Sequence, residues 1–111
     1  MINDLAAEAT TIHTRFPYSL VLFVVVIPKP ALKDKQKVDI IRTLERLSIR
    51  RNVQDENHLA EAIALIVWDP DTDTIDSSIP SDESSLRIEK FSERIYDIYS
   101  QRYKGLPPHD K

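Results

Sequence analysis

Residues 19–27 read SLVLFVVVI, apolar at nearly every position of both alternating sets and rich in β-branched side chains. A strand of that composition has no polar face to turn toward water, so it calls for cover on both sides and directs the chain to an α/β arrangement with helices flanking a sheet. The apolar stretch is far shorter than the ~20 residues a membrane-spanning helix needs. Pro28 and Pro30 end it, because neither can donate a ladder hydrogen bond. This strand is expected to be the central one.

The rest of the chain supplies elements to build around it. Residues 3–15 place Leu5, Ala6, Ala9, Ile12 and His13 at helical spacing, with Asn3 or Asp4 as cap and Pro17 just beyond the end. Residues 34–51 form a second predicted helix, with Ile40, Ile41, Leu44 and Leu47 on the side that faces the sheet. A short helical turn is expected over 57–61, then a second buried strand, AIALIVWD, over 62–69. The helix between the two strands favours a right-handed parallel crossover. Residues 70–73 carry turn chemistry and 74–79 the polar alternation of an edge strand. Residues 81–85 supply caps for a last helix, whose predicted buried stripe is Leu86, Ile88, Phe91, Ile95, Ile98 and Tyr99. Gly105, Pro107 and Pro108 stop it. The expected fold is α/β in the order helix-strand-helix-strand-strand-helix, in two or three layers, with one domain over 1–105 and a frayed tail over 106–111.

Composition narrows the function classes. A chain of 111 residues buries roughly two thirds of its unfolded surface, enough for one core. Fifteen Lys and Arg against eighteen Asp and Glu give a formal charge of -3, so attraction to nucleic acid or anionic lipid would have to come from a local patch. With no Cys, disulfides, thiol nucleophiles and thiolate metal sites are excluded, which fits a reducing cytoplasm. A lone glycine rules out glycine-rich phosphate and dinucleotide loops. No membrane partner is expected.

Few residues carry site chemistry. Asp69, Asp71 and Asp73 alternate like the first ligands of a calcium loop, but Thr74 and Pro80 stand where such a loop needs Gly and a bidentate Glu; a solvated hairpin turn is the better reading. His13, His58 and His109 are too scattered for a zinc site. His13 reads as a half-buried histidine at a helix end, close to Arg15. Lys35, Arg42, Arg46 and Arg50 project from one side of the second helix with Arg51 adjacent, a row that could track DNA phosphates or simply keep that helix solvated. Tyr96, Tyr99 and Tyr103 resemble a stacking series, although packing accounts for Tyr99.

The run IHTRFPYSLVLFVVVIPKPAL, the Arg-bearing helix after it and HLAEAIALIVWDPDT together resemble the later half of restriction-endonuclease-like proteins of the PD-(D/E)XK class. The resemblance covers residues 6–103, and its most distinctive part is Arg15-Phe16-Pro17-Tyr18 before the apolar strand. It implies a partial restriction-endonuclease-like core. In that family a hairpin ahead of the first helix carries the acidic residues and lysine that hold magnesium and activate water. No Asp or Glu here has a Lys two positions later. The resemblance therefore implies a nuclease-like, DNA-associated module without catalytic residues or metal ligands of its own: a truncated, split or degenerate member that would use magnesium only if a missing segment completed it. Its implied DNA contacts are Arg42, Arg46, Arg50 and Arg51, with His13 and Arg15 near the lost active face, and a homodimer or a missing partner segment is expected to cover remaining apolar surface. The alternative is a small protein-interaction or regulatory subunit that binds no nucleic acid.

Overall fold

The computed structural model describes residues 2–32 and 34–103. Helix α1 spans Ile2–Arg15, strand β1 Leu22–Pro28, helix α2 Asp34–Leu47, strand β2 Ala62–Asp69, strand β3 Thr74–Ile75 and helix α3 Ile88–Tyr103, with one 3-10 turn at Lys29–Ala31. The element order is the one expected. The Gly105 stop and the tail lie outside the described residues.

β1 and β2 pair in parallel, Leu22 opposite Ala62 through Pro28 opposite Trp68. β2 and β3 pair antiparallel through Trp68 with Ile75 and Asp69 with Thr74. The sheet order is β1-β2-β3. β2, not β1, is therefore the central strand, and this corrects the expectation from the apolar run. Ile63, Leu65 and Val67 of β2 join Val25 and Ile27 of β1, Ala9 of α1 and Leu44 of α2 in one core. On the opposite face Ala62 and Ala64 are buried where α3 lies on β2; their small side chains let a helix approach closely.

That second layer stops short of β1. Leu22, Val24 and Val26 share the face of Ala62, Ala64 and Ile66, and they are 39%, 53% and 57% exposed. The molecule is three-layered over β2 and two-layered over β1. An all-apolar strand was expected to be covered on both faces, but only one face of β1 is.

Several boundaries moved for identifiable reasons. α2 ends at Leu47 rather than continuing through Arg51, because Ala60 N–H donates to Leu47 O and Arg50 N–H to Ala60 O, which draws the chain out of the helix toward β2. Residues 57–61 make turns without a helix. β3 is two residues long, since Asp76 bends the chain through hydrogen bonds from Ser78 N–H and Oγ–H. α3 begins at Ile88, after a segment in which Leu86 O accepts from Leu65 N–H and Ser84 Oγ–H donates to Glu45. Leu86 is thereby buried against β2, while Ile88 and Tyr99, assigned to the buried stripe by periodicity, are 44% and 42% exposed.

Candidate functional site

The polar centre of the molecule is Glu61. It continues the inward alternation of Ile63, Leu65 and Val67 by one step, so its side chain enters the interior at the mouth of the β1–β2 ladder. Its backbone N–H donates to Val21 O at 3.0 Å, and Val21 N–H donates to Glu61 Oε1 at 2.7 Å. The carboxylate takes three more donors: His13 Nε2 at 2.9 Å on Oε1, and Arg50 Nη1 at 2.5 Å and Arg102 Nη1 at 2.8 Å on Oε2. Glu61, Arg50 and His13 are all 0% exposed, and the Arg102 side chain is 2% exposed. A carboxylate withdrawn from water is tolerated only when paired and fully hydrogen-bonded, and this one is both.

Each of these three side chains is fixed by further backbone acceptors. His13, on the last turn of α1, donates Nδ1–H to Asn57 O at 2.9 Å, and its Nε2 also lies 3.2 Å from Ser19 O. Both ring nitrogens meet acceptors, so the ring is held in one orientation. Arg50 donates Nη2 to Pro17 O at 3.1 Å and to Val53 O at 3.0 Å. Arg102 donates to Ser19 O at 3.1 Å and to Arg51 O at 2.6 Å. The cluster binds the end of α1, the entry to β1, the loop after α2 and the last turn of α3 to the start of β2. Two buried donors, Arg50 Nε and Arg102 Nε, have no hydrogen-bond partner.

Further charge surrounds this centre. Arg94 donates Nε to Glu61 O at 2.7 Å, and burial, followed by the neighbouring Arg51 charge, lowers its pKa. Asp55 accepts from Arg51 N–H and Asn52 N–H; these two bonds hold its carboxyl below the ordinary range, with a smaller pull from Arg50 and Arg102. A cleft of about 140 Å3 opens beside the cluster, lined by Tyr18, Arg51, Asn52, Gln54, Gln101 and Arg102.

Measured against the sequence expectations, the basic row divides. Arg42 and Arg46 are exposed on α2, and Arg51 is exposed beyond it. Arg50 leaves the row: with α2 ended at Leu47 its guanidinium turns inward to Glu61, and so it cannot reach a phosphate backbone. The Lys35 side chain lies outside the described residues. His13 is completely buried rather than half-buried, and Arg15 is exposed. Asp69, Asp71 and Asp73 sit in the β2–β3 hairpin, where Asp69 Oδ1 accepts from Asp71 N–H and Asp73 Oδ1 from Trp68 Nε1–H. Among the described residues no three His, Cys, Asp or Glu side chains are grouped to hold a metal ion, and no helix is long and apolar enough to cross a membrane.

Sequence reasoning missed Glu61 and Arg102. Arg102 carried a signal: it follows Phe91, Ile95 and Ile98 at helical spacing, a charged residue on an otherwise apolar stripe. Glu61 carried a weaker one, the inward alternation of β2 read back by one pair. No protein-family model, curated protein or solved structure matches the chain.

Proposed function

We propose that the chain is a non-catalytic interaction module that offers β1 to a second copy of itself. The observation that carries this reading is the state of β1. It is the end strand of the sheet, its outer edge has no strand beside it among the described residues, and Leu22, Val24 and Val26 turn an apolar face outward. Exposed edges are ordinarily protected by charges, bulges or covering segments, whereas LFVVVIP has no charge and a proline only at its end. Antiparallel pairing about Val25 would set Leu22 opposite Pro28 and Val24 opposite Val26. The same apolar patch then meets itself, as a twofold interface requires.

The environment of Glu61 supports the non-catalytic part. Every hydrogen bond that carboxylate accepts comes from a buried group of the chain itself, so it is committed to holding the fold. Sedimentation equilibrium tests the proposal: the parent chain is expected to associate reversibly and Val24→Lys to remain monomeric with unchanged circular dichroism. A monomeric parent at high protein concentration would overturn it.

A DNA-associated role, the reading that accompanies the nuclease resemblance, is favoured by one observation: Arg42 and Arg46 are exposed one helical turn apart on α2. Such a pair can meet neighbouring phosphates without base specificity.

A further inference from the structure

We infer that the cleft beside the Glu61 cluster is a binding site for a phosphate-type oxyanion, held by Arg102 and Arg51. The first argument is charge. Two guanidinium groups and an imidazole are buried around a single carboxylate. Arg94 and Arg51 crowd the same region closely enough that the charge of one disfavours the charge of the other. Asp55 answers part of this from the rim, and Glu93 and Asp97 line an adjacent cleft with Arg51, Lys90 and Arg94. Even with all of these included, cations outnumber carboxylates. An excess of positive charge around a partly enclosed cleft attracts an anion.

The second argument is the geometry of Arg102. Its Nη1 is occupied by Ser19 O and Glu61, and its Nη2 makes one bond, to Arg51 O. Nε makes none, although it is buried. A guanidinium has five N–H donors; Arg102 Nε–H is closed off from the cleft, which leaves one Nη2–H, beside Arg51, for a charge-assisted bond to an anion oxygen. Arg102 lines the cleft, and its orientation is already fixed by the bonds to Glu61 and two carbonyls. A donor fixed in advance loses little freedom on binding.

The third argument is size and lining. The space, about 140 Å3, is smaller than the ~300 Å3 at which drug-sized pockets begin, and so suits one anionic group. Arg51 supplies a second guanidinium at its edge, and Tyr18, Asn52, Gln54 and Gln101 supply neutral hydrogen-bonding groups. The ligand class is a tetrahedral oxyanion, either free phosphate or a phosphate of a polynucleotide.

The test uses the whole chain with inorganic phosphate. Thermal unfolding should show a saturable rise in melting temperature with phosphate that sodium chloride at matched ionic strength does not give. Arg51→Gln and Gln101→Glu alter exposed side chains at the rim; each should melt like the parent without phosphate and lose the phosphate-dependent rise. Oligonucleotides with and without a 5′-phosphate, titrated in competition with inorganic phosphate, distinguish the sources. Displacement by the phosphorylated strand alone assigns a terminal phosphate, displacement by both a backbone phosphate, and displacement by neither free phosphate. Equal shifts in phosphate and chloride, or a phosphate shift that survives both substitutions, would overturn the assignment.

Discussion

Glu61 and Arg102, 41 residues apart in sequence, meet at 2.8 Å with both side chains withdrawn from solvent. The same carboxylate oxygen accepts from Arg50, so removing Glu61 strands two buried guanidinium groups at once. Breaking a buried pair by deleting one partner typically costs about 3–5 kcal/mol. Glu61→Ala is expected to lose at least that much in urea unfolding. Glu61→Gln, which keeps the volume but not the charge, should also be strongly destabilised. Parent-like urea midpoints for both variants would contradict the role given to this carboxylate.

The two faces of β1 should respond differently to charge. Val25 is 6% exposed within the core and Val24 is 53% exposed on the open face. Val25→Asp buries an unpaired ion and is expected to unfold the chain at room temperature. Val24→Asp should melt close to the parent. Circular dichroism melts of the two proteins, measured side by side, check the contrast.

DNA association, if it runs through α2, depends on Arg42 and Arg46 and not on Arg50. The Arg42→Gln/Arg46→Gln double variant should bind duplex DNA more weakly than the parent, with a shallower dependence on salt, while its melting temperature stays nearly constant because exposed charges contribute little to stability. Arg50→Gln should instead be destabilised, since it removes a donor to Glu61. Fluorescence anisotropy over a salt series, paired with thermal melts, separates the two effects.

Asp76 gives the chain an acid-sensitive contact. The Ser78 hydroxyl, and after it Lys29 at 3.0 Å, lower its pKa from the ordinary 3.8 to about 2. Because the folded value lies below the unfolded one, the contribution is present above pH 3.8 and is lost as the pH falls toward about 2. Asp76→Asn should therefore show a shallower loss of stability across that window. Urea midpoints measured between pH 4.5 and pH 2.5, values chosen to span roughly the titration range, provide the check.

Plasmid and single-stranded DNA are expected to remain intact with the purified chain in magnesium or manganese. Glu61 is fully engaged in the fold, and Asp69 and Asp73 are turned to hydrogen bonds within their own hairpin. Cleavage that follows the protein through purification and disappears in the Asp69→Asn/Asp71→Asn variant would refute this.

The order of elements was legible because it rests on local signals: apolar periodicity, proline stops and capping residues. What the local signals could not say is which apolar face would be covered. Val24 and Val25 read alike in sequence, and only the reach of α3 over β2 separates them. The basic row failed at Arg50 for a similar reason. Helical periodicity extends past Ser48, but the pairing of Arg50 with Ala60 ends the helix and rotates the side chain into the core. Of the candidate site, His13 was noticed and its surroundings were not, because its partners at Asn57 and Glu61 arrive through tertiary folding.

The Glu61 cluster also spans nearly the whole described chain. Its donors begin with His13 and end with Arg102, and Arg102 reaches back 83 residues to Ser19. Contacts at such separation are slow to form, because loop-closure entropy must be overcome before they contribute. A chain that extends only through β2 contains β1 and β2 but carries Glu61 without its last donor. The cluster is complete only when α3 docks, so the contact that satisfies Glu61 is also the one that joins the last helix to the sheet.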